Sequence, residues 1–254
     1  MAYLKKTTKA GNRIRVEKYY SSRYGSKGRC TRSTNFGKTP ENMAERNHKY
    51  AAMKADDVFN ANFGKGALIL DFTFAKDQRP TSREDALHKW ENYLRRVRYA
   101  YKKAGLEFKY QKGIGALKSN THIHAAFSKI DTNLLPEWEY GHMHIQHVDG
   151  RDNHTFGSYC FEQYKKHVKE VKPQEYQYLQ CYSHSRNCII PEPDIEVISS
   201  DHWADEPRAP KGYYIVKDSV ETWEDKVTGY FHQSYIMCKL PDKKSKKKNI
   251  RKRI

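Results

Sequence analysis

Apolar and polar positions along this chain predict an α+β unit spanning about residues 46–240. The run GALILDFTF at 66–74 is dominated by aliphatic, β-branched and aromatic residues, and the polar loop AKDQRP ends it, so a central core strand is expected there. Beyond Pro80, Thr81 or Ser82 can cap a helix and Glu84 and Asp85 suit its positive end. Leu87, Trp90, Leu94, Val97 and Tyr101 then recur at helical spacing as far as Gly105. This amphipathic helix, over about 82–104, should pack on the sheet. Further strands are expected over 106–110 and 121–127, with a loop through Gly113 and Gly115 between them.

Residues 134–138 predict a short helical turn, 141–148 another strand, and 156–171 a helix with a weaker apolar pattern. Later strands are expected over 176–182, 213–216 and 227–239, and the proline-rich stretch 191–210 should be an irregular connection. Strand, helix and hairpin in that order make an α+β pattern: a central antiparallel β-sheet with helices packed on one side.

Composition supports a folded chain. Only 37% of the 254 residues are hydrophobic, but 13% are aromatic, which supplies bulky core material that a disordered chain would lack. No apolar run reaches the roughly 18 residues needed to span a bilayer, and the basic N-terminus has no apolar segment behind it. Neither membrane insertion nor secretion is expected. Cys30, Cys160, Cys181, Cys188 and Cys238 form no C-x-x-C pair and are odd in number, which fits a reducing cytosol better than a disulfide framework.

The net charge of +17 is concentrated at the two ends. Residues 1–32 hold ten Lys/Arg and one acid, and residues 242–254 hold eight and one, so the body between them is close to neutral. The expected organisation is therefore a basic, partly disordered arm over 1–45, a compact domain over 46–240 and a basic tail over 241–254. Arms of one sign on a near-neutral body suit a polyanion, because each neutralised phosphate releases counterions. In the tail, Lys243, Lys244, Lys246, Lys247, Lys248, Arg251, Lys252 and Arg253 are the candidate nucleic-acid-binding residues; a solubilising or targeting role is the alternative.

The candidate chemistry starts at His122-Ile123-His124. On a strand, residues two apart leave the same face, so both imidazoles can approach one divalent ion while Ile123 enters the core. By itself this pattern is weak, and His142 and His144, with His147 beyond, make a rival pair.

In this order of motifs the sequence resembles the HUH single-strand endonucleases, the rolling-circle replication initiators of small phages and plasmids. The strand Leu70-Asp71-Phe72-Thr73-Phe74 resembles the first motif of that family. His122-Ile123-His124 with Ala125-Ala126-Phe127 resembles the His-hydrophobe-His motif, and the helix carrying Tyr159 and Tyr164 resembles the nucleophile motif. Trp138-Glu139-Tyr140-Gly141 and the stretch SRNCIIP at 185–191 resemble segments that accompany the domain in phage-type members. The resemblance covers about residues 45–235 and implies that His122 and His124, rather than the later pair, are the metal ligands.

Two departures stand out. The position where similar proteins carry a third ligand reads Gly113-Ile114-Gly115-Ala116, leaving Gln111 or Glu162 as substitutes, and the Tyr-x-x-Lys spacing is absent, since Glu162 follows Tyr159 and His167 follows Tyr164. Gly157-Ser158-Tyr159-Cys160-Phe161 matches the small-residue, tyrosine, apolar run of the family, which favours Tyr159 as nucleophile over Tyr164. The two lie about 140° apart around a helix and so are not expected to cooperate.

What the resemblance implies is phosphoryl transfer through a 5′-phosphotyrosine link with a free 3′-hydroxyl, assisted by Mg²⁺ or Mn²⁺ and acting on single-stranded or hairpin origin DNA. There is no G-x-x-x-x-G-K-[ST] loop, so duplex opening and extension would fall to a host helicase and polymerase in the bacterial cytoplasm. A non-catalytic nucleic-acid-binding protein, and a tyrosine transposase or relaxase of the same superfamily, are the alternatives.

Overall fold

The computed structural model describes residues 2–25, 41–115, 121–149, 155–168, 182–224 and 229–241, without the side chains of 41–46 and 164–168. In chain order the strands and helices are β1 (Ala2–Ala10), β2 (Arg13–Ser21), α1 (Glu41–Asn62), β3 (Leu68–Thr73), α2 (Arg83–Lys103), β4 (Tyr110–Gly115) and β5 (His122–Phe127). They continue with β6 (Met143–His147), α3 (Phe156–Val168), β7 (Tyr182–His184), β8 (Pro193–Ile198), β9 (Tyr213–Ile215), β10 (Glu221–Glu224) and β11 (Phe231–Lys239). The fold is α+β with antiparallel sheets, and the chain divides into two compact units. One is built from both chain ends and the other from residues 39–150 and 154–190. Among the described residues no helix is long and apolar enough to cross a membrane.

The central unit is a five-stranded antiparallel sheet in the order β6-β3-β5-β4-β7. Alternation sorts its side chains onto two faces. Leu68, Leu70 and Phe72 of β3 and Ile123, Ala125 and Phe127 of β5 meet Trp90, Tyr93, Leu94, Val97 and Tyr101 of α2 in the main core. That helix starts where its cap predicts, with the Ser82 hydroxyl accepting from the Asp85 N–H at 3.2 Å. Ile69 and Ala126 on the opposite face pack with Val58 and Phe59 of α1 and Phe156 and Cys160 of α3. Helices therefore cover both faces rather than one.

This second layer is built by α1, a helix that the apolar pattern of the sequence does not announce. Ala52, Ala55, Val58 and Phe59 give it an apolar stripe, but two of the four are alanines, and the polar first half of the helix dilutes the pattern.

Two sequence motifs turn out to serve the fold. The Trp138 indole donates to the Thr73 carbonyl at 2.8 Å and packs on Phe72 and Phe74, and a Cβ on Gly141 would meet the Thr73 carbonyl and, at 2.7 Å, the Ala75 nitrogen. The 138–141 segment thus closes over the end of β3. In the 185–191 stretch, Asn187 donates to Glu107 and Phe108, and Ile189 exchanges hydrogen bonds with Asn62, which ties this segment to the end of α1.

The other unit is a six-stranded sheet in which β10-β11-β2-β1-β8 lie side by side and β9 also pairs with β11. Residues 2–21 are therefore a hairpin inside a sheet, which corrects the expected disordered arm over 1–45 for that part. Its two-residue turn, Gly11-Asn12, has Gly11 at φ 58°, the left-handed conformation such turns require. Part of the expected irregular stretch 191–210 is the edge strand β8, paired with β1. Residues 26–40 lie outside the described residues, as do most of the expected strand 176–182 and the whole tail from 242.

Candidate active site

The sheet face covered by α1 and α3 carries polar residues at its centre. His122 and His124 lie on β5, flanked by β3 and β4, and register places Asp71 opposite His124 and Gly115 opposite His122. The two imidazole rings sit edge to face with centroids 4.6 Å apart. A Cβ on Gly115 would come within 2.5 Å of the His122 Nε2. The glycines expected to form a loop are thus part of β4, and Gly115 leaves room for a histidine ring from the next strand.

His124 is buried, and its Nδ1 pairs with the Asp71 carboxylate. With Nδ1–H donating to Asp71, the remaining Nε2 carries the lone pair, and that atom is buried with no hydrogen-bond partner. The hydrogen bond from His124, with the nearby imidazoles of His144 and His122, holds the Asp71 carboxyl below its ordinary range. Carboxylate, histidine and a free Nε2 form the arrangement by which proteins orient an imidazole toward a metal ion.

Gln111 lies on β4, one diagonal step from the pair of Gly113 with His124. It is fully buried; its amide N–H donates to the Ala55 carbonyl of α1 at 3.1 Å, and its Oε1 has no partner. Glu162, the other substitute for the third ligand, is exposed on α3. Among the described residues no three His, Cys, Asp or Glu side chains are placed to hold a metal ion, and this includes Glu162 with the histidine pair. The donor set this face would offer a divalent cation is two imidazoles and an amide oxygen. Two buried acceptor atoms without partners, His124 Nε2 and Gln111 Oε1, are the structural support for that fit.

Tyr159 reaches this face from the first turn of α3. Its ring lies edge to face against His124 with centroids 4.7 Å apart, and it remains 43% exposed. Partial burial first, and then the negative charge of Asp71, push its phenol above the ordinary tyrosine value. The position of Tyr159 is fixed from below by α1. The buried Asp56 carboxylate accepts from the Ser158 backbone N–H at 2.9 Å and from the Ser158 hydroxyl at 2.6 Å, occupying donors that a helix start leaves open. Gly157 allows the close approach, since a Cβ there would meet Ala55 and come within 2.6 Å of the Asp56 nitrogen. The Tyr164 side chain lies outside the described residues.

The chain matches no family model, no curated protein and no solved structure.

The rival histidines are placed differently. His142, His144 and His147 are exposed along the edge of the sheet, with His144 opposite Asp71 and 3.3 Å from the Gln146 amide nitrogen. Asp71 and Asp56 were not assigned roles from sequence. A readable signal existed for Asp71, because a carboxylate inside an apolar core strand needs a partner, and alternation places it on the face opposite to Leu70 and Phe72. Asp56 carries no such signal, because the alanine-rich stripe of the helix that holds it is weak. The eight basic tail residues, from Lys243 to Arg253, lie outside the described residues.

Proposed function

We propose that this chain is a site-specific single-strand DNA endonuclease and ligase that starts rolling-circle replication of a phage or plasmid, acting in the bacterial cytoplasm. The observation that carries the reading is the Tyr159 ring resting against His124, with His122 beside it on the same sheet face.

In this reading the Tyr159 oxygen attacks the phosphorus of a bound phosphodiester. The new bond is a 5′-phosphotyrosine ester, the bond to the 3′ oxygen breaks, and that oxygen leaves as a 3′-hydroxyl as the phenolic proton is lost. The exchange conserves one phosphodiester bond, so attack by a 3′-hydroxyl on the tyrosyl ester rejoins a strand. A Mg²⁺ or Mn²⁺ ion held by His122 and His124 with Gln111 would supply Lewis-acid stabilisation of the charge that builds on the non-bridging oxygens. Asp71 orients His124, and Asp56 holds the first turn of α3 so that Tyr159 faces the histidines. A host helicase and polymerase would open the duplex and extend the freed end.

The test is incubation with single-stranded oligonucleotides spanning the candidate origin of the chain's own replicon, with Mn²⁺ or EDTA, read by denaturing gel and peptide mass analysis. A metal-dependent adduct on Tyr159, lost in Tyr159→Phe and in His122→Ala, is expected. The same adduct on Tyr164 would reassign the nucleophile. Salt-sensitive binding without any adduct would favour a non-catalytic nucleic-acid-binding protein, and an adduct only with transposon-end or transfer-origin DNA would favour a transposase or relaxase.

A further inference from the structure

The outer surface of α2 carries a second feature, on the side of the sheet away from His122 and His124. The inner residues of this helix, Trp90, Leu94, Val97 and Tyr101, are buried in the core. Its outer C-terminal half borders a groove of about 800 Å³ whose far wall is the segment 133–136. Arg95, Tyr99 and Lys103 follow one another at four-residue steps along this groove, each about 6 Å from the next on a helix rising 1.5 Å per residue. Between Glu91 and Glu107 the chain has five Lys/Arg and no acid.

The groove is poorly explained by folding needs. Tyr99 is 69% exposed and Leu134 51% exposed, large apolar surfaces that contribute nothing to the core. Lys103 has no ion-pair or hydrogen-bond partner among the described residues. Arg96 is held in the wall by the Glu139 carboxylate and by the Glu137 carbonyl at 3.2 Å, whereas Arg95 donates only to the neutral Asn92 amide oxygen, so the groove has one cation paired with a carboxylate and two, Arg95 and Lys103, whose charge is open to a ligand.

We propose that this groove is a binding site for single-stranded DNA, separate from the histidine and tyrosine site. A base stacks on the Tyr99 ring, with Leu134 and Pro136 opposite, while Arg95 and Lys103 take phosphates on either side of it. Alternating cation, aromatic ring and cation along a concave strip is the arrangement that binds a strand whose base faces are open. Duplex DNA hides those faces and would gain only the charge contacts. The choice of DNA over RNA rests on the proposed function; the stacking and phosphate chemistry does not.

The test measures binding of fluorescent oligo-dT to the full chain in EDTA, where no nicking contributes, as a function of salt. Tyr99→Ala is expected to weaken binding about 10-fold while Tyr99→Phe keeps it. Arg95→Gln with Lys103→Gln is expected to lower the slope of log affinity against log salt by about 1.4, the loss of two single-strand phosphate contacts. Duplex affinity should change less than about twofold in Tyr99→Ala, and because that variant removes no charge, binding by the basic tail cannot imitate its effect.

Unchanged oligo-dT affinity in Tyr99→Ala overturns the proposal, as does an equal loss for duplex and single strand. Tighter binding of oligo-rU than oligo-dT overturns the assignment to DNA. If the unaltered chain forms no covalent adduct yet binds oligo-dT in a Tyr99-dependent way, the nicking reading fails and the groove stands.

Discussion

Gly157→Ala probes the contact that places Tyr159. The added Cβ would meet the Ala55 side chain, lie 2.6 Å from the Asp56 nitrogen and 2.7 Å from the Ala55 carbonyl carbon, all on α1. Ordinary contacts of this kind lie near 3.5 Å or more, so α3 must move away from α1 by about 1 Å. Overpacking of this sort costs roughly 1–3 kcal/mol, against which alanine recovers up to about 1 kcal/mol over glycine inside a helix. The net expected loss is about 1–2 kcal/mol. The same movement stretches the 2.9 and 2.6 Å bonds from Ser158 to Asp56 and carries the Tyr159 ring off His124.

A misplacement of about 1 Å at a reacting group can cost about 100-fold in rate. The variant should therefore remain folded, with a small drop in its denaturation midpoint, while the rate of tyrosyl adduct formation falls by one to two orders of magnitude. The assay pairs urea unfolding with single-turnover adduct formation on an origin oligonucleotide. A stability within about 0.3 kcal/mol of the unaltered chain, together with an adduct rate within twofold, would refute the claim that α1 and α3 meet closely at Gly157.

Gly115→Ala should displace the His122 ring, whose Nε2 would lie 2.5 Å from the new Cβ, and weaken Mn²⁺ binding measured by calorimetry while unfolding stays cooperative; unchanged Mn²⁺ affinity would argue against His122 as a ligand. Asp71→Asn removes the charge that orients His124, and should lower Mn²⁺ affinity about 10–100-fold, as loss of a partner behind a metal-binding imidazole does. An undiminished affinity would show that Asp71 does not orient a ligand. Lys112 is buried over the Trp90 ring at 5.3 Å, and burial drops its ammonium from 10.5 to about 8. Between those values the unfolded chain binds more protons, so stability should rise from pH 8 to pH 10.5. Lys112→Met should remove that rise and add about 1–3 kcal/mol at pH 7, and a pH-independent stability in the unaltered chain would contradict this account.

What was legible in the sequence follows from where the pattern was strong. The strand at Leu68–Thr73, the helix at Arg83–Lys103 and the histidine strand each carry an unbroken run or stripe of large apolar residues, and these emerge where expected. The histidine pair shares a face because a two-residue spacing on a strand admits nothing else. Gly113 and Gly115 misled, because glycine usually punctuates loops, whereas Gly115 is small to admit the His122 ring. The helix at Glu41–Asn62 shows only a weak stripe because alanine packs well and signals weakly, and with it goes Asp56, the residue that seats the first turn of the helix carrying Tyr159. The N-terminal hairpin was hidden by composition. Its Gly11-Asn12 turn is a recognisable hairpin signal, outweighed by the density of lysine and arginine around it.

That hairpin changes the meaning of the charge. Lys5 pairs with Glu196, Lys6 with Glu17 at 3.0 Å, and Arg15 with Glu17, while Arg13 is buried, so several cations counted as a free arm are engaged within a sheet. A cation that must first leave a carboxylate releases fewer counterions on meeting a phosphate than an open one. Net charge at one end of a sequence therefore overstated that end's capacity for a polyanion. The outer half of α2 was concealed by the opposite effect: its five cations sit inside a body whose total is near neutral, and only the helix shows that Arg95 and Lys103 share a stripe with an exposed tyrosine. Sequence arithmetic weighs segments, whereas recognition depends on which charges the fold leaves unpaired and side by side.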